Sequence, residues 1–275
     1  MTDKYAVIGN PISHSKSPLI HEAFAKQTNQ DISYERILAP LDGFEATVKD
    51  LIASGYKGVN VTVPFKFEAY KLATHHSPRS LGAGATNTLR FEELDIIADN
   101  TDGAGLVRDI EENLKTSING KRVLLLGAGG AAEGVLHLIL VKSPSVLVIA
   151  NRTLDKALSM VKKIEMQQKH QMTTLTACAF QDLSTQSFDI VINATSTGLT
   201  DTALPIHNTI FAEGSLAYDM MYGRETPFMK QARENGAQVA DGLGMLVEQA
   251  AEAFYLWRGV RPETQSVIQQ IRNLA

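Results

Sequence analysis

The chain predicts an α/β fold in two domains. Three observations carry this expectation. Short apolar runs alternate with segments of helical periodicity, one such run opens straight into a glycine cluster and a helix, and 275 residues suffice for two cores of ordinary size.

The glycine cluster lies within Arg122 to Thr153, RVLLLGAGGAAEGVLHLILVKSPSVLVIANRT. Val123 to Leu126 is continuously apolar, as a parallel strand buried on both faces must be. Gly127-Ala128-Gly129-Gly130-Ala131-Ala132 fits G-x-G-x-x-A, in which the first glycine makes a tight turn and the second admits a pyrophosphate to the backbone amides. Ala132 lets helix and strand pack closely. Val135, Leu136, Ile139 and Leu140 recur at helical spacing, so the new helix turns its amides and dipole toward the phosphates. Ser143-Pro144 ends it, and Val146 to Ala150 forms the next strand. Where an NAD site places a ribose-binding carboxylate, this chain has Asn151, Arg152 and Thr153, followed by Lys156. A guanidinium forks onto a 2′-phosphate that a carboxylate would repel, so the expected cofactor is NADP. The stretch reads as half of a Rossmann-like, doubly wound domain.

Before this unit, Tyr5 to Gly9 reads as a strand running into the loop Asn10 to Pro18, which holds Ser15, Lys16 and Ser17. A hydroxyl-rich loop past a strand's carboxyl end is where open α/β sheets bind ligands. Locally, Ser17 as an N-cap with Pro18 at the first helical position accounts for it equally simply. Ile20 and Phe24 mark a helix, Ile32 to Leu38 a strand, and Phe44, Val48, Leu51 and Ile52 another helix. In Gly58 to Lys66 a strand alternates Val59, Val61 and Val63 with Asn60 and Thr62, and Pro64 starts a helix with Lys66 near its first turn. A cation there opposes the helix dipole, although an exposed lysine tolerates it. His75 and His76 are adjacent and do not face one ligand, so no metal is expected. Ala85 to Leu89, with Asn87, reads as a strand, Asp95 to Ala98 as its partner. Asp99-Asn100-Thr101-Asp102-Gly103 leads into a helix of Leu106, Ile110 and Leu114, where Asp102 satisfies a capping role.

After the dinucleotide unit, Leu154 to Gln167 reads as a helix with Leu158, Val161 and Ile164 inward. Phe188 to Ala194 is a strand, and the turn Thr195-Ser196-Thr197-Gly198 lies where a parallel sheet offers it to a cofactor. Leu216 to Asp219 makes another strand, leading to Met220, Met221 and Tyr222, and Thr226-Pro227 starts a helix. A long helix opens at Asp241-Gly242 and runs through Trp257, carrying Gln249. That amide is costly if buried alone and ordinary if exposed. Pro262 to Asn273 forms the last helix.

A net charge of −4 argues against a general nucleic-acid surface. The single cysteine, Cys178, excludes an intrachain disulfide and reads as a core thiol. The apolar run at Tyr5 to Ile8 is too short for a signal-peptide core and no run suits a bilayer, so a cytoplasmic enzyme is expected.

With GNPISHSKSP, NVTVPFK, ATNT, DNTDG, GAGGAA, NRT, NATSTG, YDMMY and DGLGMLVEQAA in order, the whole chain resembles the shikimate dehydrogenase family. The resemblance implies two α/β domains separated by a cleft: a substrate-binding, catalytic domain of residues 1–103 plus 240–275 and an NADP-binding domain of 104–239. The implied reaction is reversible, NADP-dependent reduction of 3-dehydroshikimate to shikimate in aromatic amino-acid (chorismate) biosynthesis. A broader quinate/shikimate dehydrogenase is the alternative. Lys66 and Asp102 would form the catalytic pair. Ser15 and Ser17 would hold the substrate carboxylate, with Asn60, Thr62, Asn87, Asp102, Tyr222 and Gln249 on the carboxylate or ring hydroxyls. Gly127, Ala128, Gly129, Gly130 and Ala131 would cradle the pyrophosphate, and Asn151, Arg152, Thr153 and Lys156 the adenosine phosphate. Thr195, Met220 and Gly242 would complete the cofactor contacts. Neither a nucleic-acid nor a membrane partner is expected, and the chain would be a monomer or homodimer. Glu133 departs from the basic residue frequent in relatives, and Pro78 from an acidic one.

Overall fold

The computed structural model describes residues 2–167, 172–197 and 202–274. The chain forms two compact units, Met1–Gly105 with Leu246–Ala275, and Leu106–Met245. No helix among the described residues is long and apolar enough to cross a membrane.

In the first unit, strands β1 (Asp3–Gly9), β2 (Ile32–Leu38), β3 (Tyr56–Val61), β4 (His75–His76), β5 (Thr88–Glu92) and β6 (Asp95–Asp99) form one sheet in the order β2-β1-β3-β5-β6-β4. The first three run parallel, while β5 lies antiparallel to β3 and β6. Its helices are α1 (Ser17–Thr28), α2 (Phe44–Ala53), α3 (Lys66–Leu72) and α4 (Pro78–Ala83), and α5 (Asp102–Arg108) carries the chain into the second unit. Period-two alternation sends Ala6, Ile8, Val59 and Val61 into a core with Phe44, Val48 and Phe65. Asn60 lies on the other face and is also buried, so it must be hydrogen-bonded.

The second unit holds β7 (Arg122–Leu126), β8 (Val146–Ala150), β9 (Thr174–Cys178), β10 (Phe188–Asn193), β11 (Phe211–Asp219) and β12 (Gln238–Asp241), in the order β12-β11-β10-β7-β8-β9. Every pairing is parallel. Read from β9, this is third, second, first, fourth, fifth, sixth, the doubly wound dinucleotide order, whose direction reverses between β7 and β10. Val123, Leu125, Leu147 and Ile149 enter a core with α6 (Gly130–Val141) and α7 (Leu154–Gln167). Leu124, Leu126, Val148 and Ala150 enter another with Phe188 and with Phe228 of α8 (Pro227–Glu234). Burial on both faces is why these strands are apolar without alternation.

The last helices, α9 (Leu243–Arg258) and α10 (Gln265–Arg272), return to the first unit over most of their length. Trp257 stacks on Tyr5 with ring centroids 4.6 Å apart, and Phe254 meets Phe24 edge-on at 5.8 Å.

Several details depart from the sequence reading. Ser17 is the first residue of α1 and Lys16 holds the N-cap position, so Ser17 is no cap. Strand β3 ends at Val61, leaving Val63 exposed, and α3 begins at Lys66 rather than Pro64. Asp102 is also a first helical residue; the side chain of Asn100, not its own, accepts the hydrogen bond from the Asp102 amide. The expected helix through Leu114 is α5 followed by a π-helical turn, Asp109–Asn113. Strand β5 begins at Thr88 rather than Ala85: Asn87 still bonds Asp99 and Val61 through its backbone, but Thr86 gives its amide to Lys66. Leu158 is 47% exposed while Ala157 and Met160 are inward. Cys178, on the edge strand β9, is only half-buried; burial and Asp182 push its thiol pKa up. Strand β12 was not expected. The last helix starts at Gln265, three residues after Pro262.

Candidate active site

Three chain segments meet around Asn87 in the first unit. Lys66 stands at the first position of α3, and its carbonyl accepts the Thr86 amide at 3.0 Å, which ties α3 to the Ala-Thr-Asn-Thr segment. Its Nζ donates to Asp102 Oδ2 at 2.5 Å. The other oxygen, Oδ1, accepts from Asn87 Nδ2 at 2.8 Å. Asn87 Oδ1 in turn accepts from the Thr101 amide at 2.8 Å, and Asn87 Nδ2 also faces Gln249 Oε1 at 3.3 Å. The carboxylate is thus held from both sides, with Lys66 only partly exposed. A charge-assisted bond of this kind is about twice as strong as a neutral one and leaves the ammonium two further protons to donate.

Asn60 spends most of its amide on structure, accepting from Tyr34 Oη at 2.7 Å and donating to Thr88 Oγ1 at 3.0 Å. Ser15 Oγ donates to Ser17 Oγ at 3.1 Å. The Arg36 guanidinium donates twice to the Ser15 carbonyl, at 2.9 and 2.7 Å, which fixes that loop to β2. Thr62 pairs its amide with Ile8 just beyond β3.

In the second unit the glycine turn sits at the strand-order reversal. Gly127 has φ +109°, a conformation open to glycine, and an added Cβ would stand 3.1 Å from the Ala194 carbonyl. Helix α6 begins with Gly129 at its N-cap and no side-chain cap, leaving its first amides for a ligand. Ala132 is fully buried, while Gly129 and Ala131 are exposed and Ala128 and Gly130 half-exposed. Asn151 donates its amide to the Thr153 carbonyl at 2.9 Å and so shapes the turn. Arg152, Thr153 and Lys156 are exposed. Glu133 faces Lys163 at 3.9 Å, which offsets its charge in the first turn of α6. Thr195 Oγ1 donates to Asn193 Oδ1 at 2.7 Å. Asn193 and Thr226 both donate to Asp219, whose other oxygen takes the Met221 amide. Gly242 gives its amide to Met221, and a Cβ on it would lie 2.3 Å from the Met220 carbonyl, so only glycine permits that approach. Tyr222 is half-buried, which raises its pKa. Gly198 lies outside the described residues.

Family models match the chain in three parts: the shikimate dehydrogenase substrate binding domain over residues 7–89, shikimate / quinate 5-dehydrogenase over 109–202, and the shikimate 5′-dehydrogenase C-terminal domain over 242–272. A shikimate dehydrogenase (NADP(+)) of Methylobacillus flagellatus is 62% identical, over 98% of this chain and 99% of that protein. The chain belongs to the shikimate dehydrogenase family. Among solved structures, an Ael1 enzyme from Pseudomonas putida is 51% identical with a TM-score of 0.92, covering 98% of each chain. The Thermus thermophilus shikimate 5-dehydrogenase, solved with NADP(H) and shikimate, is 28% identical with a TM-score of 0.88 over 100% of both chains.

Within this shikimate dehydrogenase fold, Lys66, Asn87, Asp102 and Gln249 come together although 183 positions separate the first from the last, by 249 − 66. The residues that brace Asn60, Ser15, Asn87 and the Met221 turn escaped the sequence reading. Tyr34, Arg36 and Thr101 look like ordinary strand and loop residues until the fold supplies their partners. Asn193, Asp219 and Thr226 lay inside or beside recognised motifs without an assigned task.

Proposed function

We propose that this chain catalyses the reversible, NADP-dependent reduction of 3-dehydroshikimate to shikimate in aromatic amino-acid (chorismate) biosynthesis. The observation that carries the reading is the Lys66–Asp102 pair, fixed by Asn87, in the unit whose segment 7–89 matches a substrate binding domain. Residues 1–103 plus 240–275 serve the substrate and 104–239 the cofactor.

The second unit suits a dinucleotide with a 2′-phosphate. Its positive-φ glycine turn leaves room for pyrophosphate, and Arg152 and Lys156 are exposed cations without an ion pair among the described residues. Gly127 to Ala131 line the pyrophosphate, Asn151 to Thr153 with Lys156 the adenosine phosphate, and Thr195, Met220 and Gly242 the nicotinamide end. The reduced nicotinamide supplies the hydride when bound.

The chain's own residues supply the proton. Lys66 donates from Nζ to the forming alkoxide in reduction and accepts it back in oxidation. Asp102 orients that ammonium and takes a ring hydroxyl as donor, while Asn87 keeps the carboxylate from turning away. Ser15 and Ser17 hold the substrate carboxylate. Thr62, Tyr222 and Gln249 serve the carboxylate or ring hydroxyls, and Asn60 retains an acceptor lone pair for a hydroxyl.

A second reading, a quinate/shikimate dehydrogenase of broader cofactor use, draws on the family model over 109–202, which covers both substrates. Arg152 disfavours it. The chain works in the cytoplasm as a monomer or homodimer and without nucleic acid. Incubating purified protein with shikimate and NADP⁺ and following nicotinamide absorbance tests the proposal. Reduction of NADP⁺ is expected, a flat trace from folded protein would overturn it, and equal rates with quinate or NAD⁺ would favour the second reading.

A further inference from the structure

The first unit contains a chain of buried charges away from the Lys66–Asp102 pair. Arg79, on α4, forks onto Asp99 through Nε at 3.0 Å and Nη2 at 2.7 Å, and its Nη1 donates to Glu252 Oε1 at 2.6 Å. Asp99 also accepts from Ser77 Oγ and from the Asn100 amide, each at 2.7 Å. On α9, Glu252 takes a second bond from Arg261, which reaches Glu248 at 3.1 Å, and Glu248 accepts from Thr264 at 2.6 Å. Every charge in this series is at least three-quarters buried, so each must be paired. Burial alone would raise the Glu252 carboxyl pKa, yet bonds from Arg79 and Arg261 hold it below the ordinary value. Glu252 therefore stays ionised.

The geometry of this series matters for the site. Asp99 lies three residues before Asp102, at the end of β6, and Glu248 and Glu252 flank Gln249 on α9. Gln249 shows its Oε1 to Asn87 Nδ2 at 3.3 Å and to Thr101 Oγ1 at 3.4 Å. These are long bonds, too weak to hold a helix by themselves. The short bonds from α9 to Asp99 described above run through the Arg79 guanidinium. A lysine, as a point donor, could not reproduce its two-sided fork.

Resting on the functional reading above, we propose that Arg79 is a positioning residue for substrate recognition: by clamping α9 to Asp99 it keeps Gln249 in register with Asn87 and Asp102. It touches neither the substrate nor the reacting atoms. Its loss lets Gln249 drift from the ring hydroxyls while leaving the second unit intact.

The test measures kcat and KM of the full chain for wild type, Arg79→Gln, Gln249→Ala and the double variant. Arg79→Gln is expected to lower kcat/KM for shikimate roughly tenfold to a hundredfold, with KM for NADP⁺ changed by no more than about twofold. In the Gln249→Ala background the same substitution should cost about threefold or less, because the group it positions is gone. Wild-type kcat/KM in Arg79→Gln, or an equal loss in both backgrounds, would overturn the proposal; the second result would mark Arg79 as merely structural. Should Arg79→Gln not fold, Glu252→Gln removes one side of the clamp with little change of shape and decides the same comparison. A wild type silent toward shikimate would instead remove the functional reading, and this proposal with it.

Discussion

Tyr218 donates its hydroxyl to Asp109 at 2.6 Å. The phenol stands on β11 and the carboxylate on the π-helical turn after α5, and the same hydroxyl accepts the Met245 amide at 3.3 Å. A Cβ on Gly244 would lie 1.9 Å from Asp109 Oδ1, so the start of α9 is closed around this pair. Tyr218→Phe removes this hydrogen bond from a buried carboxylate and should cost about 1–3 kcal/mol in urea unfolding at pH 7. A loss under about 0.5 kcal/mol would show the bond to be dispensable. Burial first, and Asp109 second, raise the Tyr218 pKa well above its ordinary value. The stability it contributes is therefore complete below about pH 10 and lost as pH climbs toward the folded value, a decline that Tyr218→Phe should lessen.

His21 governs the acid side. It is fully buried, stacked on Tyr34 with centroids 4.1 Å apart, and neither ring nitrogen has a hydrogen-bond partner among the described residues. Burial lowers its pKa from 6.5 to about 3, with the nearby Asn60 amide acting in the opposite direction. The unfolded chain then binds the extra proton between these values, so stability is complete above about pH 6.5 and falls as pH drops toward 3. Between pH 7 and pH 5 the wild type should lose roughly 2 kcal/mol that a His21→Phe variant keeps. Parallel unfolding curves for the two proteins would refute this assignment.

On the proposed reading, cofactor choice turns on Arg152. Charge-assisted bonds of about 1.5–3 kcal/mol each predict that kcat/KM for NADPH exceeds that for NADH by roughly tenfold to several thousandfold. Arg152→Ala should lower only the NADPH value. Equal constants for the two cofactors in the wild type would end the argument.

Legibility followed burial. The parallel strands of the second unit were readable because both faces are covered, so Val146–Ala150 appears as an unbroken apolar run. Strand β12 was not, since Gln238–Asp241 is four residues of mixed polarity at a sheet edge. Motif residues such as Lys66 and Asp102 stood out, but local pattern also explained them as an exposed lysine and a helix cap. What distinguishes the two accounts is a distance between residues 36 positions apart, which no local pattern contains. For the same reason Arg79, whose partners are 20 and 173 positions away, carried no signal at all.

Asp102 should matter for both binding and chemistry, since it faces Lys66 with one oxygen and Asn87 with the other. Asp102→Asn keeps the shape but removes the charge that orients the ammonium. It should lower kcat and raise KM for shikimate, and wild-type values for both would dissolve the pair.

The most direct measurement is the turnover of 3-dehydroshikimate with NADPH by Lys66→Ala beside the wild type. Loss of the proton donor should lower kcat by about 10²–10⁴ with little change in substrate KM. A kcat close to that of the wild type would contradict the account and leave Lys66 a binding residue only.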